Sequence, residues 1–420
     1  MNNKIFISIA AYRDPELLKT IKNCIDNSKN PENLIFCIAW QHSDEDEWDN
    51  LDEYKNDDRF KIIDIPYKEA KGVCWARNLI QNHYDDEQYY LQLDSHHRFV
   101  PNWDWLLKDL IQYLRAKGHI KPLVSAYLPS YFPEKDPAGR LNEVWMLNID
   151  RFLPEGAIFL RPQGLDGWKD MKEPVPNRFL SAHFIFTLGS FVKEVPYDAD
   201  LYFHGEESSL AIRAFTHGYD LFNPHRIYAW HEYTREGKKK HWDDSTEWSE
   251  QDKNSYARFR KLFGMNGENS YLENKDMFGN FWFGNVRSLE DYERYAGLKF
   301  NTRQIHRETI EHKHPPIKGN YEMGLCTKIK VCIDIWKEAL KEPDYETFAV
   351  ALLDENGNDV FRQDMDINEF NHLMKETPND QFIHIWREYE DIRQPHSWRV
   401  WPYSKSKGWM DNIEQKINYE

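Results

Sequence analysis

Over the first hundred residues, short apolar runs alternate with amphipathic ones. KIFISIAA (4–11), LIFCIAW (34–40), FKIIDI (60–65) and YYLQL (89–93) have the length and side-chain types of buried strands. Between the first two, PELLKTIKNCIDN (15–27) puts Leu17, Leu18, Ile21 and Ile25 on one helical face behind an N-terminal proline. A second helix is expected from about Gly72 to Asn82. This alternation predicts βαβ units, and so an α/β fold with a mostly parallel, Rossmann-like sheet and helices on both faces. Such sheets bind ligands beyond the carboxyl ends of their strands. Two polar motifs fall at that edge, AAYRD (10–14) after the first strand and DSHH (94–97) after the fourth.

The middle of the chain is more polar. Segments 129–140 and 161–178 read as long loops of the kind that form functional flaps. FLSAHFIFTLGSFV (179–192) is strand-like, and a helix then opens at Glu206 and Glu207, with Leu210, Ile212, Ala214 and Phe215 as its apolar contacts. IYAWHEYTREGKKKHW (227–242) begins as a strand and ends as a basic run. Near residue 320 the pattern changes. TKIKVCIDIW (327–336) and TFAVALL (347–353) are β runs, and DENGND after the second carries an Asn-Gly hairpin signal. The expected division is an α/β domain over 1–319 and a small β-rich accessory domain over 320–420, the latter a candidate for acceptor binding.

Composition narrows the function. Aromatic residues make up 15% of the 420-residue chain, enough to supply a core and to line a sugar or base pocket. The net charge of −16 argues against an extended, non-specific nucleic-acid surface. Five cysteines without metal-finger or CxxC spacing fit reduced thiols in the cytoplasm. No basic segment precedes a long apolar one at the N-terminus, and no run of about 20 apolar residues occurs, so neither a signal peptide nor a membrane span is expected. Motifs of serine hydrolases, P-loop NTPases, zinc proteases and dinucleotide enzymes lack a supporting context.

Candidate chemistry lies in four places. Asp94 and His96, two residues apart at a strand end, can converge on one divalent cation, and a carboxylate with an imidazole suits Mn²⁺ or Zn²⁺ better than Ca²⁺. The alternative is a loop aspartate capping the next element, with His96 packed on Trp103. His231 ends another strand-like run and offers a third ligand; His97, His204 and His241 are chemically comparable. In GVCWARN (72–78), Gly72 permits close backbone approach, and Arg77 reaches either a phosphate or a sheet-edge carboxylate such as Asp94. In HGEES (204–208) the two acids complement a helix dipole or accept hydrogen bonds from sugar hydroxyls. The basic run, with Arg235 and Lys238 to Lys240, is either a solvated loop or a segment closing over a diphosphate.

Taken in order, SIAAYRDPE, GVCWARN, LQLDSHHRF, FHGEES and WHEY resemble glycosyltransferase family 60, the UDP-GlcNAc:hydroxyproline-polypeptide α-N-acetylglucosaminyltransferases and their microbial relatives. The resemblance covers roughly residues 4–240. It implies a GT-A fold, a UDP-sugar donor, a divalent cation (Mn²⁺ first, Mg²⁺ as the alternative) and transfer of a GlcNAc-like sugar with retention. By motif, it makes Asp94, His96 and His231 the metal ligands and sets Ala11, Tyr12, Arg13, Asp14, Arg77, Gln92 and Asp94 against the donor. It gives Glu206 the donor sugar, with Glu207 taking that role if the register slips by one, and assigns Arg77 a catalytic part at the diphosphate. The implied partners are the UDP-sugar and a hydroxyl-bearing acceptor: polypeptide, glycan or modified base. A transferase of different sugar and acceptor, or a degenerate carbohydrate-binding protein, are the competing readings.

Overall fold

The computed structural model describes residues 3–153, 155–234, 237–265, 271–378, 380–391 and 395–417. The N-terminal third builds β1 (Ile5–Tyr12), α1 (Leu17–Asp26), β2 (Leu34–His42), β3 (Phe60–Pro66), α2 (Val73–Gln81), β4 (Tyr89–Leu93), β5 (His97–Phe99), α3 (Trp103–Ala116) and β6 (Lys121–Ser125). There follow β7 (Trp145–Phe152), β8 (Ile158–Gly164), β9 (Val175–Pro176), β10 (Phe184–Leu188), α4 (Phe191–Glu194), α5 (Glu206–Thr216), β11 (Tyr219–Asn223) and β12 (Ala229–His231). Two helices, α6 (His241–Asp244) and α7 (Trp248–Phe263), come next.

Eight of these strands form the central sheet, in the order β3-β2-β1-β4-β10-β6-β11-β9. The β3-β2-β1-β4 half is parallel throughout, while β10 runs antiparallel between β4 and β6. Side chains alternate across β1 and divide two cores. Ile5, Ile7 and Ile9 pack with Leu17 and Ile21 of α1 and Trp103, Leu107 and Ile111 of α3. On the other side Phe6 packs with Cys74 and Ile80 of α2 and Leu210 and Ala214 of α5. Both faces of the sheet are thus covered, and the α/β architecture with a mostly parallel central sheet is the one the alternating pattern predicts.

One departure has a clear cause. Residues 161–164, expected within a loop, end β8, which pairs with β7 in a separate hairpin. Only Ile158 and Leu160 of β8 are buried and Arg161 to Gly164 are all exposed, so no apolar alternation marks the end of the strand. That hairpin packs with α7 in a third core containing Leu147, Ile149, Phe259 and Phe263.

The C-terminal part adds β13 (Leu298–Lys299), β14 (Gln304–His306), β15 (Leu325–Trp336), β16 (Tyr345–Leu353), β17 (Asp359–Arg362), β18 (Met365–Asp366), β19 (Phe382–Asp391) and β20 (Ser397–Ser404). It is β-rich, with one ten-residue helix, Ile367–Glu376. The Asn356-Gly357 signal lies in the β16–β17 connection, where Gly357 takes a φ of +80°. An apolar cluster including Ile333, Val350, Ile385 and Val400 draws only on residues beyond 320. A backbone ladder, Ile305 opposite Cys326, nevertheless joins the two sides of that position.

Candidate active site

β4 stops at Leu93, where the chain leaves the sheet, and Asp94 and Ser95 turn it into β5. This short strand pairs antiparallel with β12, and the register places His231 opposite His97. β12 is held on its other side too. The His231 N–H donates to the Pro129 carbonyl (3.0 Å), and the Tyr131 N–H donates to the His231 carbonyl (3.2 Å). These two ladders carry His231 across more than a hundred residues of sequence to the DSHH turn. Ligand atoms of Asp94, His96 and His231 lie within 4.8 Å of one another. Asp94 Oδ2 is 3.4 Å from His231 Nε2 and 3.8 Å from His96 Nε2.

The groups beneath this cluster fix its orientation. Asp14 Oδ2 faces His96 Nδ1 at 2.6 Å and accepts the Ser95 hydroxyl at 2.7 Å. With Nδ1–H held by this carboxylate, Nε2 of His96 is left as the ligating nitrogen. Arg77 is fully buried on α2 and donates to Asp94 Oδ1 (2.7 Å), to the Leu93 carbonyl (3.2 Å) and to the Ala182 carbonyl (3.2 Å). The sheet-edge carboxylate expected as a partner of Arg77 is in contact with it. Burial alone would raise the Asp94 pKa. The neighbouring His231, Arg77 and His96 outweigh it and hold the carboxylate ionised, well below its usual range.

The cluster separates two clefts. A narrow one of about 130 Å³ is lined by Tyr12, Gln41, Ser95, His96, Tyr202 and Lys240 among others. A larger one of about 680 Å³ is lined by Tyr127, Trp145, Phe159, Glu207, His231 and Tyr233 among others. Asp94 borders both. Gly72, at the start of α2, has a φ of +104°, and a Cβ there would meet the Tyr202 ring at 2.7 Å. The close approach expected of this glycine is therefore to the wall of the narrow cleft.

The paired acids both line the larger cleft but differ in their partners. Glu206 is buried, with Oε1 3.8 Å from Arg77 Nε, and burial raises its pKa despite that guanidinium. Glu207 borders the larger cleft, where it accepts the Ala182 N–H (2.9 Å) and the Ser181 hydroxyl (3.0 Å). Burial pushes its carboxyl up to about 7 against those two hydrogen bonds.

Other expected residues sit beneath or beside the clefts. Ala11 belongs to the apolar core, and Gln92 is fully buried, donating to the Ala182 carbonyl (2.6 Å) and accepting from the Tyr90 hydroxyl (2.7 Å). Asp14 is likewise below the surface. Tyr12 lines the narrow cleft and donates to Asp244 (2.9 Å). Arg13 pairs with Asp46 and Asp244 and stacks over Tyr67, tying the end of β1 to α6. Of the basic run, Lys238 is paired with Glu232, and Lys240 lines the narrow cleft; Arg235 lies outside the described residues. His241 accepts from the Tyr202 hydroxyl (2.7 Å) and donates to the Ala70 carbonyl (3.0 Å), while His204 faces Asp252 (3.3 Å).

One participant was not foreseen. His183 stacks on His231 with ring centroids 4.1 Å apart, its Nδ1 is 2.8 Å from the Ser181 hydroxyl, and its Nε2 accepts the Leu128 N–H. Burial, then His231 and His97, keep its pKa far below the usual imidazole range. The only sequence signal was a histidine just ahead of an apolar strand. Its meaning depends on the register of β10 against β4, in which Phe184 faces Leu93.

Among curated proteins none matches this chain. Several solved structures are similar in architecture. GalNAc-T7 with UDP, GalNAc and Mn²⁺ is 14% identical over 67% of this chain and 55% of its own, with a TM-score of 0.45. The chain thus spans about half of the GalNAc-T7 chain. S. aureus TarS 1-349 in complex with UDP-GlcNAc is 12% identical over 66% of this chain and 78% of its own, with a TM-score of 0.36. The mannosyltransferase PcManGT from Pyrobaculum calidifontis, in complex with GDP-Man and Mn²⁺, is 13% identical over 56% and 58%, with a TM-score of 0.37. The sequence profile of the family described as Glycosyltransferase (GlcNAc) matches residues 4–58 and 47–302, well over half of the chain and every residue of the cluster. The chain belongs to the Glycosyltransferase (GlcNAc) family.

Proposed function

We propose that this protein is a cation-dependent, retaining transferase that moves a GlcNAc-like sugar from a UDP-sugar to a hydroxyl acceptor. The observation that carries the reading is the position of Asp94, His96 and His231 at the junction of two clefts, with Asp94 bordering both. The donor set fits a divalent cation. One carboxylate is held ionised, and one imidazole has its second nitrogen secured by Asp14. Two imidazoles in the set favour Mn²⁺ over Mg²⁺. Bound there, such an ion neutralises charge developing on the departing diphosphate.

The chain's own groups supply the rest. The narrow cleft takes the nucleotide, with Tyr12 on its wall and Lys240 contributing positive charge near the phosphates. Arg77 keeps Asp94 aimed and adds charge from below. Glu207 accepts a hydroxyl of the donor sugar, and Glu206 supports Arg77. The larger, aromatic-lined cleft receives the acceptor, for which a hydroxyproline-containing polypeptide is the first choice on the resemblance to family 60, ahead of a glycan or a hydroxylated base. Retention rests on the same resemblance. The five free thiols support a cytoplasmic setting. Among the described residues, no helix is long and apolar enough to cross a membrane.

The test is release of UDP from UDP-GlcNAc with Mn²⁺, comparing the wild type with Asp94→Asn and His96→Ala, each checked for folding by circular dichroism. Loss of charge stabilisation worth several kcal/mol predicts a fall of roughly a thousandfold or more in both variants. Near-normal turnover in both would overturn the reading.

A further inference from the structure

A second group of ligating side chains stands on the outward face of the C-terminal sheet, well separated in sequence from the first. β15 and β19 pair antiparallel, with Asp334 directly opposite His384. Residues two apart in a strand share a face, so Cys332 stands beside Asp334 while Val331, Ile333 and Ile335 point into the core. Ligand atoms of Cys332, Asp334 and His384 lie within 4.8 Å of one another. Asp334 Oδ1 is 3.2 Å from Cys332 Sγ and 2.8 Å from His384 Nδ1. A tetrahedral ion with bonds of about 2.0–2.3 Å keeps neighbouring ligand atoms roughly 3.3–3.7 Å apart. Small side-chain rotations on a fixed ladder therefore suffice to open the space it needs.

The hydrogen-bond inventory points the same way. His384 Nε2 is 2.9 Å from Asp380 Oδ2, and Asp380 is itself held by the Phe382 N–H, which donates to Oδ1 at 3.0 Å. A neutral imidazole donates from one nitrogen only. An imidazolium donates from both and satisfies both carboxylates; a cation taking the place of the Nδ1 proton leaves Nε2–H on Asp380. A carboxylate behind the second nitrogen is also the usual support of a metal-bound histidine.

We propose that Cys332, Asp334 and His384 bind a zinc-class divalent cation, with Asp380 orienting His384 and water completing the coordination. Thiolate with imidazole selects Zn²⁺ over Mg²⁺, Ca²⁺ or Mn²⁺. The thiol gives up its proton to solvent on binding, and thiolate and carboxylate together balance the charge of the ion. The bound ion clips β15 to β19, the two strands that carry Ile333 and Ile385 into the accessory core. It differs from the Asp94 cluster in holding sulfur, and the measurement exploits that difference.

Metal-free full-length protein is titrated with Co²⁺, a spectroscopic substitute for Zn²⁺. The expected result is a sulfur-to-cobalt charge-transfer band that saturates near one equivalent and is displaced by Zn²⁺. Cys332→Ser loses the band, His384→Ala weakens Co²⁺ binding at this site at least about tenfold, and Asp94→Asn keeps the band, since its cluster has no thiolate. Cys332 and His384 lie on the partly exposed face of the sheet, and circular dichroism verifies the fold of each variant. A thermal-shift series with Zn²⁺ gives a second readout, stabilising the wild type but not Cys332→Ser. Absence of a sulfur band in the wild type, its persistence in Cys332→Ser, or its indifference to His384→Ala would each refute the site.

Discussion

His96 has one nitrogen to offer a cation, because Asp14 holds the other. Replacing Asp14 by Asn keeps the shape but removes the charge that fixes the tautomer, and outer carboxylates of this kind are worth roughly 10–100-fold in metal affinity. Asp14→Asn should therefore raise the Mn²⁺ concentration for half-activation by that factor, with kcat largely recovered at saturating Mn²⁺. An unchanged midpoint would remove Asp14 from the site. Glu207 gives a different readout, in the metal-free protein. Its carboxyl is pushed up to about 7 in the folded chain, above the roughly 4.3 of an unperturbed glutamate. A raised folded pKa means that folding favours the protonated acid. Its contribution is fully present below the unfolded value and is lost as pH rises from about 4.3 to 7, by roughly 4 kcal/mol at most. Glu207→Gln should flatten that part of the stability-versus-pH curve, measured by denaturant unfolding with chelator present. Parallel curves for variant and wild type would contradict it.

At the scale of elements, three-residue β5 and β12 complete the cluster, since their pairing brings His231 beside the DSHH turn. Trp230 stands opposite Arg98 in this ladder, and proline there removes a ladder N–H. Trp230→Pro should abolish cation binding by calorimetry while Trp230→Phe retains it; equal affinity in the two variants would show that the ladder is dispensable. This dependence also explains what could be read in advance. β1 and β4 were legible because both their faces are apolar, and the DSHH motif stood out as a polar break at a strand end. Arg77 was legible as a partner for Asp94 because a helix start and a strand end meet at the same sheet edge. His183 was not, because its place follows from an antiparallel strand inserted between β4 and β6, a pairing that leaves no local trace. β8 was missed for a simpler reason, an exposed end without apolar alternation. Asp14 could be seen as part of a motif, but its burial under His96 could not.

At the scale of the molecule, every residue of the proposed active site precedes residue 242, whereas the accessory core is built entirely from residues beyond 320. A chain ending at 319 should therefore still bind a UDP-sugar in a cation-dependent way. It should not be as stable as the whole. The cut removes β15 from the edge of β14, with the Ile305–Cys326 ladder contact, and removes the buried Tyr321, whose hydroxyl donates to the Leu298 carbonyl. The freed strand edge favours association between copies. The expected outcome is a lower Tm and a tendency to aggregate, with donor affinity within a few-fold of the full chain by calorimetry in Mn²⁺. Retained donor binding with lost transfer to the acceptor would assign acceptor selection to residues 320–420. A well-folded, monomeric truncation that fails to bind donor would instead place part of the donor site in the accessory unit and reject the proposed division of the chain.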